Sequence, residues 1–119
     1  MKKIIIALAS SALVCIQSCA SLFSTTTIEP NKSFVLGEGL HAAYDAQIQN
    51  VSTSDIDVIM VDNEGKQNSL GLLKVGEQKN YSVPANMAVR FKNTSEISAS
   101  IKIVLFGDNN LSMGYKNNK

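Results

Sequence analysis

From Tyr44 onward the chain alternates apolar and polar residues in short runs. Tyr44, Ala46 and Ile48 are interleaved with Asp45, Gln47 and Gln49. Ile56, Val58 and Met60 alternate with Asp55 and Asp57 before the run becomes continuously apolar at Ile59-Met60-Val61. Met87, Val89 and Phe91 alternate with Arg90 and Lys92, and Ile97, Ala99, Ile101, Ile103 and Leu105 form the longest stripe. Successive side chains of an extended backbone point to opposite faces, so each stripe predicts a strand with one dry and one wet face.

Turn chemistry separates these runs. Asn63-Glu64-Gly65-Lys66 supplies a glycine for positive φ, Gly107-Asp108-Asn109-Asn110 supplies residues that tolerate the left-handed region, and Val75-Gly76-Glu77 parts two further runs. Pro84 ends one strand and Asn86 opens the turn to the next. Regular turn signals without a helix-length amphipathic segment predict an all-β domain, a small antiparallel β-sandwich of seven or eight strands. Gln49-Asn50-Val51-Ser52-Thr53-Ser54 is echoed by Lys92-Asn93-Thr94-Ser95, and shared hairpin-turn chemistry is the expected reason.

The first residues follow a different pattern. Lys2 and Lys3 precede 13 residues, Ile4 to Ile16, interrupted only by Ser10 and Ser11, and Gln17-Ser18-Cys19-Ala20 follows. A charged start, an apolar stretch and a small-residue exit are the three zones of a secretory signal. At about 1.5 Å per residue such a helix falls short of the ~30 Å hydrocarbon core, so a permanent span is not expected.

Ile16-Gln17-Ser18-Cys19 resembles the lipobox of bacterial lipoproteins, with an aliphatic residue three before the cysteine and a small residue just before it. The resemblance implies recognition of Ile16 and Ser18 by a dedicated signal peptidase, cleavage between Ser18 and Cys19, and diacylglycerol on the Cys19 thiol. Ala20 in place of Asp resembles the outer-membrane sorting pattern of enteric-type lipoproteins. Two alternatives stay open: Cys15, preceded by the poorer Val14, and ordinary cleavage after Ser18-Cys19-Ala20, which would release a soluble domain.

The expected organisation is therefore a signal helix over 1–18, a lipidated Cys19 opening a flexible tether over 19–32, and a β-sandwich over 33–119. Ser21, Ser24, Thr25, Thr26, Thr27 and Pro30 give the tether its small, polar composition. Ile48-Gln49-Asn50, Asp55-Ile56-Asp57-Val58 and Leu73-Lys74-Val75-Gly76-Glu77 with Tyr81-Ser82-Val83 resemble the cadence of bacterial immunoglobulin-like adhesion or accessory domains, which implies an immunoglobulin-like sandwich.

Composition removes several functions. The 11 basic and 10 acidic residues are interspersed, Arg90 is the sole arginine, and no basic cluster marks a nucleic-acid interface. His41 is the only histidine, and no cysteine follows Cys19, so neither a blue-copper nor a common zinc ligand set exists and no cofactor is expected. Asp55, Asp57, Asp62 and Glu64 miss the spacing of a calcium loop and read as solvated strand and turn charges. His41 lacks a marked nucleophile, and no Gly-x-Ser-x-Gly elbow or phosphate-cradling loop is present. Five Asn-x-Ser/Thr triplets, at Asn31, Asn50, Asn80, Asn93 and Asn110, reflect a chain rich in those residues.

The expected function is a membrane-anchored, non-catalytic module in an accessory, assembly or adhesion role, binding another protein through a strand edge or loops. The alternative, a periplasmic inhibitor or protective lipoprotein, usually brings a disulfide and a Ser/Gly-rich inhibitory loop, and both are missing.

Overall fold

The computed structural model describes residues 22–107 and 111–118. The segment expected to be a signal, with Ile16, Ser18 and Cys19, lies outside these residues. The described residues form nine strands and no helix: β1 (Leu22–Ile28), β2 (Lys32–Leu36), β3 (Tyr44–Asn50), β4 (Ile56–Val61), β5 (Gln67–Leu73), β6 (Gln78–Val83), β7 (Ala88–Lys92), β8 (Ala99–Gly107) and β9 (Met113–Asn117). They build a four-stranded sheet ordered β1-β8-β3-β6 and a five-stranded sheet ordered β5-β4-β7-β2-β9, both antiparallel. The all-β class and the two-sheet antiparallel architecture agree with the sequence pattern.

The connectivity does not follow the immunoglobulin plan. Pairings β1·β8, β2·β7, β3·β6 and β4·β5 are nested, as in one long two-stranded ribbon closed at the β4–β5 turn. Successive lengths of that ribbon fall in alternate sheets, and β3·β8 and β4·β7 join one turn of the coil to the next. A rolled ribbon of this kind is a jelly roll. Among the described residues only β4 and β5 form a hairpin of consecutive strands, and β9 lies at the far edge of the sheet that does not contain β8.

Residues 22–28, expected within a flexible tether, form β1. Every one of its residues pairs with β8, from Leu22↔Leu105 to Ile28↔Ala99. Thr26 and Ile28 turn inward and are buried, while Thr25 and Thr27 face solvent. β-branched threonines suit a half-buried pleated surface, and the edge of β8 offers unpaired backbone groups that β1 satisfies. Residues 22–28, placed before the expected domain start at residue 33, thus belong to the β-sheet. Ile97, expected to open the β8 stripe, sits in the preceding loop and is 53% exposed.

Between the sheets the space is filled. Phe34, Phe91, Ile48, Ile56, Ile101, Ile103 and Leu105 are all at most 2% exposed. Phe34 stacks on Phe91 at 6.4 Å between ring centroids, and Tyr81 meets Phe91 edge-on at 6.2 Å. Each such side chain contributes about 1.5–3 kcal/mol when fully buried, the main source of stability in a domain of this size.

Candidate functional site

Two ends of the roll are built differently. At the end where β3 meets β4 and β7 meets β8, two buried asparagines tie the loops. Asn50 Nδ2 donates to the carbonyls of Ser54 (2.8 Å) and Leu73 (2.9 Å), and its Oδ1 accepts from Ser52 N and Oγ. Asn93 Nδ2 donates to the carbonyls of Ile97 (2.8 Å) and Ile28 (3.0 Å), and its Oδ1 accepts from Ser95 N and Oγ. Leu73 ends β5 and Ile28 ends β1, so each asparagine holds the last carbonyl of a strand remote from it in sequence. The Asn-x-Ser echo is therefore a matched pair of structural hubs at crossings between sheets, not two hairpin turns. Both asparagines are 0% exposed, which closes them to modification in the folded chain.

The opposite end, where β1 starts, carries the loops 37–43, 62–66 and 84–87. His41 lies here, with Nδ1 2.7 Å from the Ala42 carbonyl and Nε2 2.7 Å from the Met87 carbonyl. Its backbone N donates to Asn86 Oδ1 at 2.9 Å, and Asn86 N donates to the His41 carbonyl at 3.1 Å. Both ring nitrogens thus face main-chain oxygens, of which a neutral ring can donate to one, and the residue joins two loops. Gly37 makes this possible: at φ +86 it lies so close that a Cβ there would meet Tyr44 Oη at 2.7 Å and His41 Nε2 at 3.2 Å.

The acids at Asp55 and Asp62 also hold backbone. Asp62 Oδ1 accepts from Glu64 N and Lys66 N, each at 2.9 Å, and Asp55 Oδ1 accepts from Val75 N at 3.1 Å. Among the described residues, no three of His, Cys, Asp and Glu converge as a metal set would require.

The most developed recess lies on the outer face of the five-stranded sheet. Val35, Val61 and Ala88 make its apolar floor, and the loop from Gly37 to Leu40 and the β4–β5 turn with Asp62 and Asn63 form its walls, enclosing about 660 Å³. Arg90 stands in it. Its Nη2 donates to the Asn117 carbonyl at 2.6 Å, whereas its Nε is buried with no hydrogen-bond partner among the described residues. Beside it Lys116 Nζ contacts Glu38 Oε2 at 2.5 Å, pinning β9 to the loop after β2. A second hollow shares Arg90 and Lys116 and adds Lys32 and Tyr115. A guanidinium anchored through one arm suits a planar acceptor such as a carboxylate or a peptide carbonyl.

Sequence reasoning did not find this recess. Arg90 appears in the chain only as the polar member of the Met87-Val89-Phe91 stripe, and Glu38, Asn117 and Lys116 reach it from loops and strands remote in sequence. The one signal available was that Arg90 is the chain's single arginine.

The sequence matches no family model and no curated protein sequence. In three dimensions the chain is similar to solved structures at low identity. An uncharacterized conserved protein with a double-stranded β-helix domain from Klebsiella pneumoniae aligns with a TM-score of 0.57 at 11% identity, covering 81% of this chain and 76% of that one. The capsular polysaccharide assembling protein CapF from Staphylococcus aureus aligns with a TM-score of 0.56 at 11% identity, over 76% of this chain and 26% of CapF. Drosophila melanogaster CENP-C bound to CAL1 aligns with a TM-score of 0.51 at 10% identity, over 70% of this chain and 60% of that one. This chain therefore spans under two thirds of the latter two. The likeness shows the fold, a double-stranded β-helix, which is the rolled ribbon described above.

Proposed function

We propose that the chain is an exported bacterial lipoprotein, held to the outer membrane through acyl chains on Cys19, whose β-domain binds another protein and performs no catalysis. The leader and the Ile16-Gln17-Ser18-Cys19 lipobox support the address. The Arg90 recess carries the binding role. It combines an apolar floor with a guanidinium held through Nη2, a planar donor of the kind that pairs with a carboxylate or carbonyl. The occupant that fits is a loop or extended segment of a partner presenting a carboxylate or carbonyl to Arg90 and small apolar groups to Val35, Val61 and Ala88. An accessory or assembly role in the envelope follows from that reading.

Two measurements test it. Cells fed labelled palmitate should incorporate label into the wild type and not into Cys19→Ala; equal labelling of both sinks the anchor. A photo-crosslinking residue at Gln67, on the recess wall, should trap one partner species from intact cells. Trapping should be lost in Arg90→Ala and kept in Asn80→Ala, which lies on the other sheet, and indifference to Arg90→Ala removes the recess from the account.

A further inference from the structure

The position of β1 sets where an anchored domain would sit. A tether of 13 residues would hold it about 20 Å from the lipid on average. With β1 starting at Leu22, only Ala20 and Ser21 separate Cys19 from a strand fixed along its whole length to β8. Three Cα–Cα steps span at most about 11 Å. The polar layer of each leaflet is itself about 5–8 Å deep, so the start of β1 is kept within or only a few ångströms above it.

The surface at that corner is apolar. Phe23 is 70% exposed and Phe106 is 48% exposed, and both lie on the outer face of the four-stranded sheet with Val104, the cross-strand partner of Phe23. Every other strand residue on that face is Ser, Thr, Asn, Gln, Asp45 or Lys102. Asp45, beside Phe106, accepts a hydrogen bond from Ser82 Oγ at 2.8 Å. Lys102 stands one row further from the corner, opposite Thr25, and is exposed, within reach of anionic headgroups. A face that is polar throughout except where the chain arrives from its lipid is a face with a membrane-directed corner.

We propose that Phe23, Val104 and Phe106 rest in the headgroup layer of the membrane that carries the Cys19 lipid, so that the domain stands on the bilayer in one orientation. This rests on the lipoprotein reading. The consequence is that the loops tied by Asn50 and Asn93 point away from the membrane.

The chain contains no tryptophan, so single tryptophans report position. The full lipidated protein would be reconstituted into phosphatidylethanolamine–phosphatidylglycerol vesicles containing brominated lipid, as Phe23→Trp, Phe106→Trp and Ile97→Trp, the last at the opposite end. All three sites are surface-exposed, and circular dichroism checks that each variant folds. Emission from the Phe23→Trp and Phe106→Trp variants should shift to the blue and lose most of its intensity, while emission from Ile97→Trp should match that in vesicles without bromine. A Gly-Ser spacer of twelve residues inserted before Ser21 should leave the Phe23→Trp variant quenched; release of quenching means that the short linker alone held the indole there and overturns the proposal. Equal quenching of the Phe23→Trp and Ile97→Trp variants in vesicle-bound, acylated protein also overturns it while leaving the lipoprotein reading intact. A product whose mass lacks acyl groups and which stays in the supernatant overturns both.

Discussion

Asn50 and Asn93 make matching hydrogen bonds at equivalent crossings of the roll, Asn93 adding the Glu29 carbonyl at 3.2 Å, and their loops meet where Ser54 Oγ lies 3.3 Å from Ser95 Oγ. Each amide takes the place of a strand ladder that stops where the chain leaves one sheet for the other. Buried carbonyls at the ends of β5 and β1 depend on these two side chains.

Asn50→Ala and Asn93→Ala should therefore each destabilise the domain by about 3 kcal/mol, since several buried backbone groups lose their partner at about 1–3 kcal/mol each. Thr94→Ala, on the exposed face of the same loop, should stay within about 0.5 kcal/mol. Urea midpoints compare the three, and an Asn93→Ala curve overlying that of Thr94→Ala would refute the hub role.

The two buried tyrosines separate a bonded hydroxyl from an unbonded one. Tyr44 Oη donates to the Leu36 carbonyl at 3.1 Å, while Tyr81 Oη is buried without a partner among the described residues. Tyr44→Phe should cost about 1 kcal/mol, and Tyr81→Phe should be neutral or slightly stabilising because no hydrogen bond is lost. Thermal or urea unfolding decides it; a larger loss for Tyr81→Phe contradicts the assignment.

The same burial sets an alkaline limit. Desolvation, with the charge of Glu77 adding to it, pushes the Tyr81 hydroxyl up to about 12, and burial also holds Tyr44 above the usual tyrosine range. In the unfolded chain both ionise near ~10. Above that pH the unfolded state has released protons that the folded state still holds, so stability is fully present below pH ~10 and is lost as pH rises toward 12. The urea midpoint should fall steeply over that window and less so in the Tyr44→Phe/Tyr81→Phe double variant. An identical fall in both proteins would assign the effect to other groups.

Removing β1 tests the corrected domain boundary. A chain beginning at Ser21 should fold and unfold cooperatively. One beginning at Lys32 strips the edge of β8, frees its backbone groups along seven pairings and uncovers the core beside Ile28. Sedimentation should show the shorter chain associating or failing to fold, and a stable monomer from it would restore the tether reading.

The amino-acid sequence by itself determined that the residues of β3, β4, β7 and β8 extend and which face of each is dry, because alternation is a local property: Ile101, Ile103 and Leu105 turn inward wherever β8 is placed. It also marked the hairpin turn at Asn63-Glu64-Gly65-Lys66 by that turn's own residues, though the same chemistry at Val75-Gly76-Glu77 joins strands that do not pair. Only the tertiary structure decided which strands pair. Nested pairing brings together segments from opposite ends of the chain, and a period of two carries no information about a partner. For the same reason the threonine-rich stretch before Ile28 read as a tether: its strand exists because β8 leaves an edge to fill. Arg90 read as one polar residue among others until β9 and the loop after β2 were folded around it. Asn50 and Asn93 looked like ordinary turn residues until burial removed the water that would otherwise have satisfied the carbonyls they hold.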